Sequence, residues 1–409
     1  MKKIVVTGAS TYGVKNMGDD AMLASMVQGF RRSLPGCEIT FLARHPNTDY
    51  DKAFGFKSLK NLDHDTKEAA TGRFFWGMNA GDSTQHLQDI AKAIQEADLL
   101  VLGGNSFMEI FPNSFLKGVS AYSATLGTLA KFMGTPFALF GLNVVADIKA
   151  ETTQQHAKFL CENSVAVTLR EESGLNFLNA LGIEGDHLQI CGDPAFGMQA
   201  DTSISTQAIL ERGGIRLTGK PVIGIGFRHE YWGGDDALYA ENARHFAAML
   251  DRVGSALDAQ FLFIPNCTYT QSNKWQDDRL VHRQIAEAME LKGRAHLIEE
   301  DLSVFETFAL FSLVDLHISN RRHSCIFAAM QNVPFVALEG SLVGHMPPFV
   351  QDLGVPDQLS DVGDFAAIEG NIMSSWASRK EIVAKMKPNV VRLTAEARSH
   401  VPQILGALA

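Results

Sequence analysis

The chain has 409 residues, of which 46% are hydrophobic and 20% charged, and its formal net charge is -10. This length predicts two domains of about 200 residues each, and the composition excludes a disordered or fibrous protein. The negative charge argues against binding along a nucleic-acid backbone, because proteins that bind it usually carry clustered positive charge. We therefore expect no nucleic-acid partner.

The cysteines and the apolar runs indicate the cellular compartment. Five cysteines lie far apart without a CxxC spacing, which favours reduced, mostly buried thiols over a zinc or redox site. The apolar run 4–6 is too short for a secretory signal, and no stretch reaches the roughly 20 apolar residues of a membrane span. We expect a cytoplasmic protein, and peripheral contact with the inner membrane face stays open.

Short apolar runs alternate with helical patterns along the first half of the chain. The predicted strands are residues 4–6, 39–42, 99–102, 137–140 and 165–169. The predicted helices between them include residues 20–33, 86–97 and 120–133. Such alternation is typical of a parallel sheet covered by helices on both faces.

The same alternation restarts after a polar stretch, residues 199–220, which we interpret as a connection between domains. The predicted strands of the second half are residues 222–225, 261–264, 296–298, 314–318 and 335–338. The predicted helices are residues 238–257, 278–292 and 381–408. The pattern therefore predicts a second parallel sheet.

The predicted fold is α/β, with two Rossmann-like domains that have parallel sheets. We expect domains at 1–200 and 215–380, and a C-terminal helix at 381–409 that packs back on the N-terminal domain. Open parallel sheets bind ligands at the carboxyl ends of their strands, so we expect a cleft between the domains and functional residues in the loops that follow the strands.

The first of these loops resembles a nucleotide cradle but lacks its spacing. The glycine after Gly8 is Gly13, which is too far away for a dinucleotide fingerprint. Tyr122 is followed four residues later by Leu126, so the Tyr-x-x-x-Lys pair of short-chain dehydrogenases is missing there. We therefore predict no nucleotide cofactor.

Two carboxylates instead begin the first helix, in the stretch Asn16 to Ala21 that contains Asp19 and Asp20. A carboxylate at a helix start can simply cap it, which contributes about 1 kcal/mol. A carboxylate that faces the cleft would repel phosphate and suit sugar hydroxyls. We expect one of the two to cap the helix and the other to face a ligand.

Cationic side chains follow three later strands. The candidate anion ligands are Arg170, Arg228, Asn320, Arg321, Arg322 and His323. Residues 319–324 are the strongest signal, because a helix start attracts anions and charge-assisted hydrogen bonds contribute about 1.5 to 3 kcal/mol each. Trp232, shortly after Arg228, either stacks on a sugar ring or packs against the protein.

The order of these pieces resembles that of the polysaccharide pyruvyl transferase family. The matching pieces are residues 13–21, Gly103 with Gly104, residues 170–173, residues 193–196, Ser319-x-Arg321-x-His323-x-x-Ile326-Phe327-Ala328, and Pro334 with Phe335. The resemblance implies a fold similar to the GT-B glycosyltransferases and the transfer of pyruvate from phosphoenolpyruvate onto a sugar as a cyclic ketal. The implied acceptor is a sugar or glycan, either free or lipid-linked.

The resemblance also implies site residues. Arg321 and His323 correspond to the family's donor-binding Arg-x-His, with Arg170 as a helper. The implied acceptor site lies near Asn16, Asp19 and the loop of Gly104, Asn105 and Ser106. Three features depart from the family pattern. Arg322 stands where a hydrophobic residue is usual, Asn105 stands where a glycine or an acidic group is common, and the basic residue often seen soon after Pro334 and Phe335 is missing.

The chemistry of a pyruvyl transfer suits these residue types. Phosphoenolpyruvate carries a phosphate and a carboxylate, and ketal formation needs a proton for its methylene carbon and a base for the sugar hydroxyl. His323 is the predicted acid or else a phosphate ligand, and Asp19 or Asp20 is the predicted base. No metal is required, because arginines can stabilise the developing phosphate charge. The alternatives are a nucleotide-sugar glycosyltransferase, for which Glu339 is the candidate ribose ligand, and an inactive sugar-binding protein.

Overall fold

The computed structural model describes residues 1–8, 13–62, 84–104, 106–107, 119–144, 148–229, 236–268, 277–340, 344 and 346–408. The chain divides into two compact units. Unit 1 comprises residues 1–199 and 393–409, and unit 2 comprises residues 200–392. The last helix, α14 (Arg379–Gly406), contributes residues to both units.

Unit 1 contains a parallel sheet. Its strands are β1 (Lys3–Thr7), β2 (Glu38–Ala43), β3 (Lys57–Lys60), β4 (Leu99–Gly103), β5 (Ser106–Phe107), β6 (Phe137–Val144), β7 (Val167–Leu169) and β8 (Leu188–Ile190). The order is β3-β2-β1-β4-β6-β7-β8, and β5 pairs with β6 beyond the end of β4. The central strand β4 is buried along its whole length, as its five apolar or glycine residues predict.

Helices cover the strands of unit 1. They are α1 (Met17–Ser33), α2 (Thr48–Phe54), α3 (Thr84–Gln95), α4 (Val119–Met133), α5 (Glu151–Asn163) and α6 (Glu172–Ala180), together with the C-terminal part of α14. A core of aliphatic and aromatic side chains that includes Leu100, Leu126 and Leu160 lies between sheet and helices. Burial of this apolar surface is the main force that holds the unit together.

Unit 2 repeats the plan. Its strands are β9 (Val222–Gly226), β10 (Gln260–Phe263), β11 (Ala295–Leu297), β12 (Leu316–Ser319), β13 (Phe335–Glu339) and β14 (Leu359–Asp361), all parallel, in the order β11-β10-β9-β12-β13-β14. Its helices are α7 (Thr206–Arg212), α8 (Asp236–Leu257), α9 (Asp278–Ala288), α10 (Val304–Leu310), α11 (Arg322–Met330), α12 (Met346–Asp352), α13 (Phe365–Ala377) and the start of α14.

The alternating pattern read from the sequence is confirmed as two parallel α/β sheets, with corrections at several bounds. The polar stretch 199–220 contains helix α7, because Ser205 caps it and Ile209 and Leu210 give it a buried side. The strand predicted at 165–169 begins only at Val167, and the helix predicted to reach residue 292 ends at Ala288. Of the five cysteines, Cys161, Cys191, Cys267 and Cys325 are buried. None of the helices in the described part of the chain has the length and hydropathy needed to span a bilayer.

Candidate functional site

The turn that connects β1 to α1 places three of the predicted residues. Gly13 and Lys15 have φ angles of 73° and 60°, and this left-handed backbone forms a tight turn before the helix. Asn16 is the N-cap, and its side chain accepts a hydrogen bond from the Gly18 N–H at 3.2 Å. Asp19 in the first turn of α1 is partly exposed. The predicted acceptor residues Asn16 and Asp19 therefore lie together at the carboxyl edge of the sheet.

Asp20 differs from Asp19 because its carboxyl group is buried. Oδ1 accepts the Gly13 N–H at 3.0 Å, and Oδ2 accepts the Tyr50 hydroxyl at 2.6 Å. Burial raises the pKa of Asp20 to about 7, although these two bonds and the charge of Lys15 oppose the rise. This carboxyl group therefore ties the turn at Gly13 to helix α2, and it changes charge near neutral pH.

The connection from β4 to β5 contains the other predicted acceptor residues. Gly104 has a φ of 61°, and its N–H donates to the Phe140 carbonyl at 3.0 Å. The backbone of Ser106 pairs with Asn143 in β6. Asn105 and Trp232 lie outside the described residues. Strand β5 therefore begins two residues after Gly104.

Arg170 follows β7 and is fixed against the neighbouring strand. Its Nε donates to the Gly141 carbonyl at 2.8 Å, and its backbone N–H donates to the Leu142 carbonyl at 3.1 Å. His400 of α14 is buried near it and contacts the Gly192 carbonyl through Nε2 at 3.0 Å. Burial and the charge of Arg170 lower the pKa of His400 to about 4, although the hydrogen bond to Gly192 and the charge of Asp193 oppose this change. His400 is therefore neutral, and sequence reasoning did not single it out.

The connection from β12 to α11 contains the predicted donor residues. Arg321 is the N-cap residue, and its N–H donates to the Ser319 hydroxyl at 2.9 Å, while that hydroxyl donates to the Gly226 carbonyl of β9. The helix begins at Arg322. Arg322 and His323 therefore occupy the first turn of α11.

Asn320 links this connection to the end of β9. Its Oδ1 accepts the Arg228 N–H at 2.7 Å, and its Nδ2 donates to the Arg228 carbonyl at 2.9 Å. Arg228, Asn320, Arg321 and His323 thus follow two adjacent strands at one edge of the second sheet. The structure of unit 2 brings Arg228 together with three residues that lie more than 90 positions further along the chain.

Arg321 forms an ion pair with a residue that sequence reasoning missed. Its Nη2 donates to Oδ1 of Asp278, the first residue of α9; the Asp278 side chain is 0% exposed and that of Arg321 13%. Oδ2 of Asp278 also accepts the N–H groups of Asn266 and Cys267, both at 2.9 Å. Burial raises the pKa of Asp278, and the Arg321 charge opposes that rise.

Arg322 and His323, the two residues of α11 that follow Arg321, are partly exposed. The guanidinium carbon of Arg322 lies 5.7 Å from the ring centre of Phe349 in α12, a distance typical of a cation–π contact. Arg322 therefore packs on helix α12. His323 is the second residue of the helix, at its positive end.

The order of these pieces is that of a known family. A sequence model described as polysaccharide pyruvyl transferase matches residues 16–341, from the N-cap of α1 to just beyond β13. The chain belongs to the polysaccharide pyruvyl transferase family. The resemblance read from the sequence is thus confirmed, and with it a transferase enzyme. No curated protein matches this family member in sequence.

Solved structures similar to this pyruvyl transferase family member confirm the GT-B-like fold. UDP-GlcNAc 2-epimerase from Neisseria meningitidis matches with a TM-score of 0.65 at 13% identity, over 99% of this chain and 100% of the epimerase. The UDP-GlcNAc 2-epimerase from Methanocaldococcus jannaschii gives 0.59 at 11% identity, over 91% and 92%. The ADP-heptose LPS heptosyltransferase II from E. coli gives 0.50 at 13% identity, over 93% and 100%. Identities this low indicate a shared fold only.

Proposed function

We propose that the protein transfers a pyruvyl group from phosphoenolpyruvate to two hydroxyls of one sugar and so forms a pyruvate ketal on a polysaccharide or glycan precursor. The observation that carries the proposal is the cluster of Arg228, Asn320, Arg321 and His323 at adjacent strand ends of unit 2, in a chain of this family. A small trianion needs several fixed cations, and this cluster offers them in a protein of net charge -10.

In this proposal, unit 2 binds the donor. Arg228, Arg321 and Arg322 bind the phosphate and carboxylate, and the Asn320 side chain holds the backbone of Arg228 in place. Arg170 is proposed as a further cation for the donor. Guanidinium groups fixed by the protein stabilise negative charge as it develops on the leaving phosphate, without the cost of reorganising water.

His323 and Asp19 are the proposed proton carriers. His323 donates a proton to the methylene carbon of the donor, which makes the adjoining carbon electrophilic. The two sugar hydroxyls form C–O bonds to that carbon as its C–O bond to phosphate breaks, and they lose one proton to Asp19 and the other to the departing phosphate. Asp19 accepts a hydroxyl proton because it is partly exposed, whereas both oxygens of Asp20 are engaged with Gly13 and Tyr50.

The acceptor sugar is proposed to bind unit 1. Asn16, Asp19, Gly104, Asn105 and Ser106 follow β1 and β4, which are adjacent strands of the first sheet. Trp232 is a proposed stacking surface for a sugar ring. We place the reaction in the cytoplasm because phosphoenolpyruvate is a cytoplasmic metabolite, and the acceptor is either a free or a lipid-linked glycan.

Ligand-induced stabilisation tests the donor. A ligand that binds only the folded protein raises its stability by about 2.7 kcal/mol at 100 times its Kd. We expect phosphoenolpyruvate to raise the melting temperature and UDP-sugars to leave it unchanged. Stabilisation by a UDP-sugar without stabilisation by phosphoenolpyruvate would reject the proposal.

Two arginine variants make this test specific to the site. Arg321→Ala should remove the stabilisation by phosphoenolpyruvate. Arg279→Ala is the matched control, because Arg279 also forms an ion pair at the start of α9, with Asp277 at 2.7 Å, and has no proposed donor role. Donor binding should survive in Arg279→Ala. Phosphate release in the presence of a panel of glycosides then tests turnover and identifies the acceptor.

The alternative is a nucleotide-sugar glycosyltransferase, which the fold shared with nucleotide-sugar enzymes supports. This reading needs a carboxylate for the ribose, and Glu339 at the end of β13 is the candidate. One of its oxygens, Oε2, accepts the Met346 N–H at 2.8 Å and so helps to start α12. The pyruvyl transfer explains Arg321 and His323 together, and we therefore prefer it.

A further inference from the structure

Asp278 is a buried carboxylate with no role in the reaction described above. It begins helix α9, its own N–H donates to the Cys267 carbonyl at 2.9 Å, and its Oδ2 accepts the N–H groups of Asn266 and Cys267. Its Oδ1 accepts from Arg321, which lies 43 residues further along the chain. One side chain thus joins three pieces of unit 2: the start of α9, the segment after β10 and the connection from β12 to α11.

Because the Asp278 carboxylate is buried, it needs a partner of opposite charge. Moving a carboxylate out of water costs several kcal/mol unless an opposite charge and hydrogen bonds compensate. Two backbone N–H groups and one guanidinium provide this compensation here. The guanidinium of Arg321 is therefore held in one place by a carboxylate that is itself held by the backbone.

The guanidinium can still act on a ligand while it is held. Arg carries five N–H donors in a planar fork, so one edge can bind Asp278 while another edge binds an anion. A side chain that is fixed before the ligand arrives loses less entropy on binding. The arrangement at Asp278 and Arg321 therefore has the form of a preorganised anion site.

We propose that Asp278 is the positioning residue for the donor: it fixes the guanidinium of Arg321 in its ligand-binding orientation and ties residues 266–267 to the same site. This inference rests on the proposed function only for the identity of the donor. The positioning itself applies to whatever anion Arg321 binds.

The isosteric change Asp278→Asn tests this role. The carboxamide oxygen can still accept the backbone N–H groups, but its NH2 group then faces the guanidinium, and two donors cannot bond. We expect the KM for phosphoenolpyruvate to rise about tenfold or more, because the guanidinium is no longer held in its ligand-binding orientation, and a fall in kcat measures the part of the interaction that is made only in the transition state. A purely structural residue would lower melting temperature and active fraction without raising this KM.

Asp277→Asn is the matched control. Asp277 is the adjacent N-cap of α9, caps the Arg279 N–H at 3.0 Å, and forms its own ion pair with the Arg279 side chain. This variant should lose stability through the ion pair with Arg279, because asparagine caps a helix about as well as aspartate does, and it should keep the donor KM of the unmodified protein. An equal rise of KM in both variants would show that Asp278 acts only through the helix start and would overturn the proposal.

A double-mutant cycle separates positioning from folding. If Asp278 acts through Arg321, the Asp278→Asn change should have no further effect on the Kd of phosphoenolpyruvate in an Arg321→Ala background. Additive losses of affinity would contradict the proposal. Should Asp278→Asn fail to fold, Arg321→Lys replaces the cycle. Lysine lacks the planar guanidinium fork, so it cannot bind Asp278 and a ligand at the same time. Donor affinity that survives in Arg321→Lys overturns the proposal.

The same variants distinguish failure of the inference from failure of the proposed function. Binding of phosphoenolpyruvate, inorganic phosphate and UDP to the unmodified protein is measured first by calorimetry. If UDP binds and phosphoenolpyruvate does not, the pyruvyl transfer is wrong. The positioning role then stands if Asp278→Asn weakens UDP binding only when Arg321 is present, and it falls if the weakening is independent of Arg321.

Discussion

The side-chain amide of Asn320 forms hydrogen bonds with both backbone groups of Arg228, its N–H and its carbonyl. Asn320 accepts the Arg228 N–H at 2.7 Å and donates to the Arg228 carbonyl at 2.9 Å. Ser319 and Gly226 pair in the last register of β12 and β9, so the amide continues the ladder beyond the strands. Asn320, which directly precedes Arg321, thereby fixes the backbone of Arg228. This one amide therefore links the positions of the two arginines.

Asn320→Ala should weaken donor binding and also lower the stability of the protein. The change leaves two backbone groups of Arg228 without their partner, which costs about 1 to 3 kcal/mol for each group that stays buried. The melting temperature and the Kd of phosphoenolpyruvate measure the two effects. Asn389→Ala is the control, because Asn389 likewise donates to a backbone carbonyl, that of Leu353 at 3.1 Å, elsewhere in unit 2. Equal donor affinities in both variants would contradict the role of Asn320.

His323→Gln should stop turnover and keep most donor binding. A glutamine can still donate a hydrogen bond to phosphate but cannot deliver a proton to carbon, so general acid catalysis, typically a factor of about 100 to 10,000, is lost. Phosphate release at saturating phosphoenolpyruvate measures turnover, and calorimetry measures binding. An unchanged rate would assign His323 to phosphate binding alone.

Asp20→Asn should change the pH dependence of stability. The folded pKa of Asp20, about 7, lies above the ordinary value of 3.8, so the folded state binds this proton more tightly and loses stability as the pH rises through 7. Asparagine does not titrate and can keep both partners, Gly13 and Tyr50. From pH 5 to pH 8 the variant should therefore gain about 3 kcal/mol of unfolding free energy relative to the unmodified protein.

Denaturant unfolding at several pH values checks this gain, and parallel stability curves would contradict it. The same variant also bears on the choice of base. With Asp19 as the base, Asp20→Asn should keep measurable turnover, whereas Asp19→Asn should lose it while donor binding remains. The opposite result would assign the base to Asp20.

The sequence predicts the inner strands of both sheets and the edge strand β11, but it misses the edge strands β3, β8 and β14. β4 and β9 are continuous buried runs, so periodicity finds them. β3, β8 and β14 are edge strands of three or four residues with polar side chains, and nothing in their pattern separates them from loops. An edge strand pairs with a neighbouring strand on one side only, so it does not need a continuous apolar run.

The residues of the candidate site likewise divide into those that the sequence predicts and those that it does not. The Arg-x-His at Arg321 and His323 follows a predicted strand and is therefore found from sequence. Asp278 reads as an ordinary helix start, because its partner Arg321 becomes a neighbour only when β10 and β12 flank β9 in the sheet. Tyr50 and Asp20 meet for a similar reason, across two connections at one sheet edge. Pairings across a fold are set by topology, which local patterns do not contain.

His400→Gln should remove part of the acid sensitivity of unit 1. The pKa of His400 is lowered from 6.5 to about 4, so the unfolded chain binds a proton that the folded protein excludes, and stability falls as the pH drops from 6.5 to 4. A glutamine can donate to the Gly192 carbonyl without titrating. We expect the unmodified protein to lose about 3 kcal/mol more unfolding free energy than the variant between pH 7 and pH 4. Denaturant unfolding followed by circular dichroism measures the difference, and an equal loss in both proteins would show that His400 is protonated in the folded state.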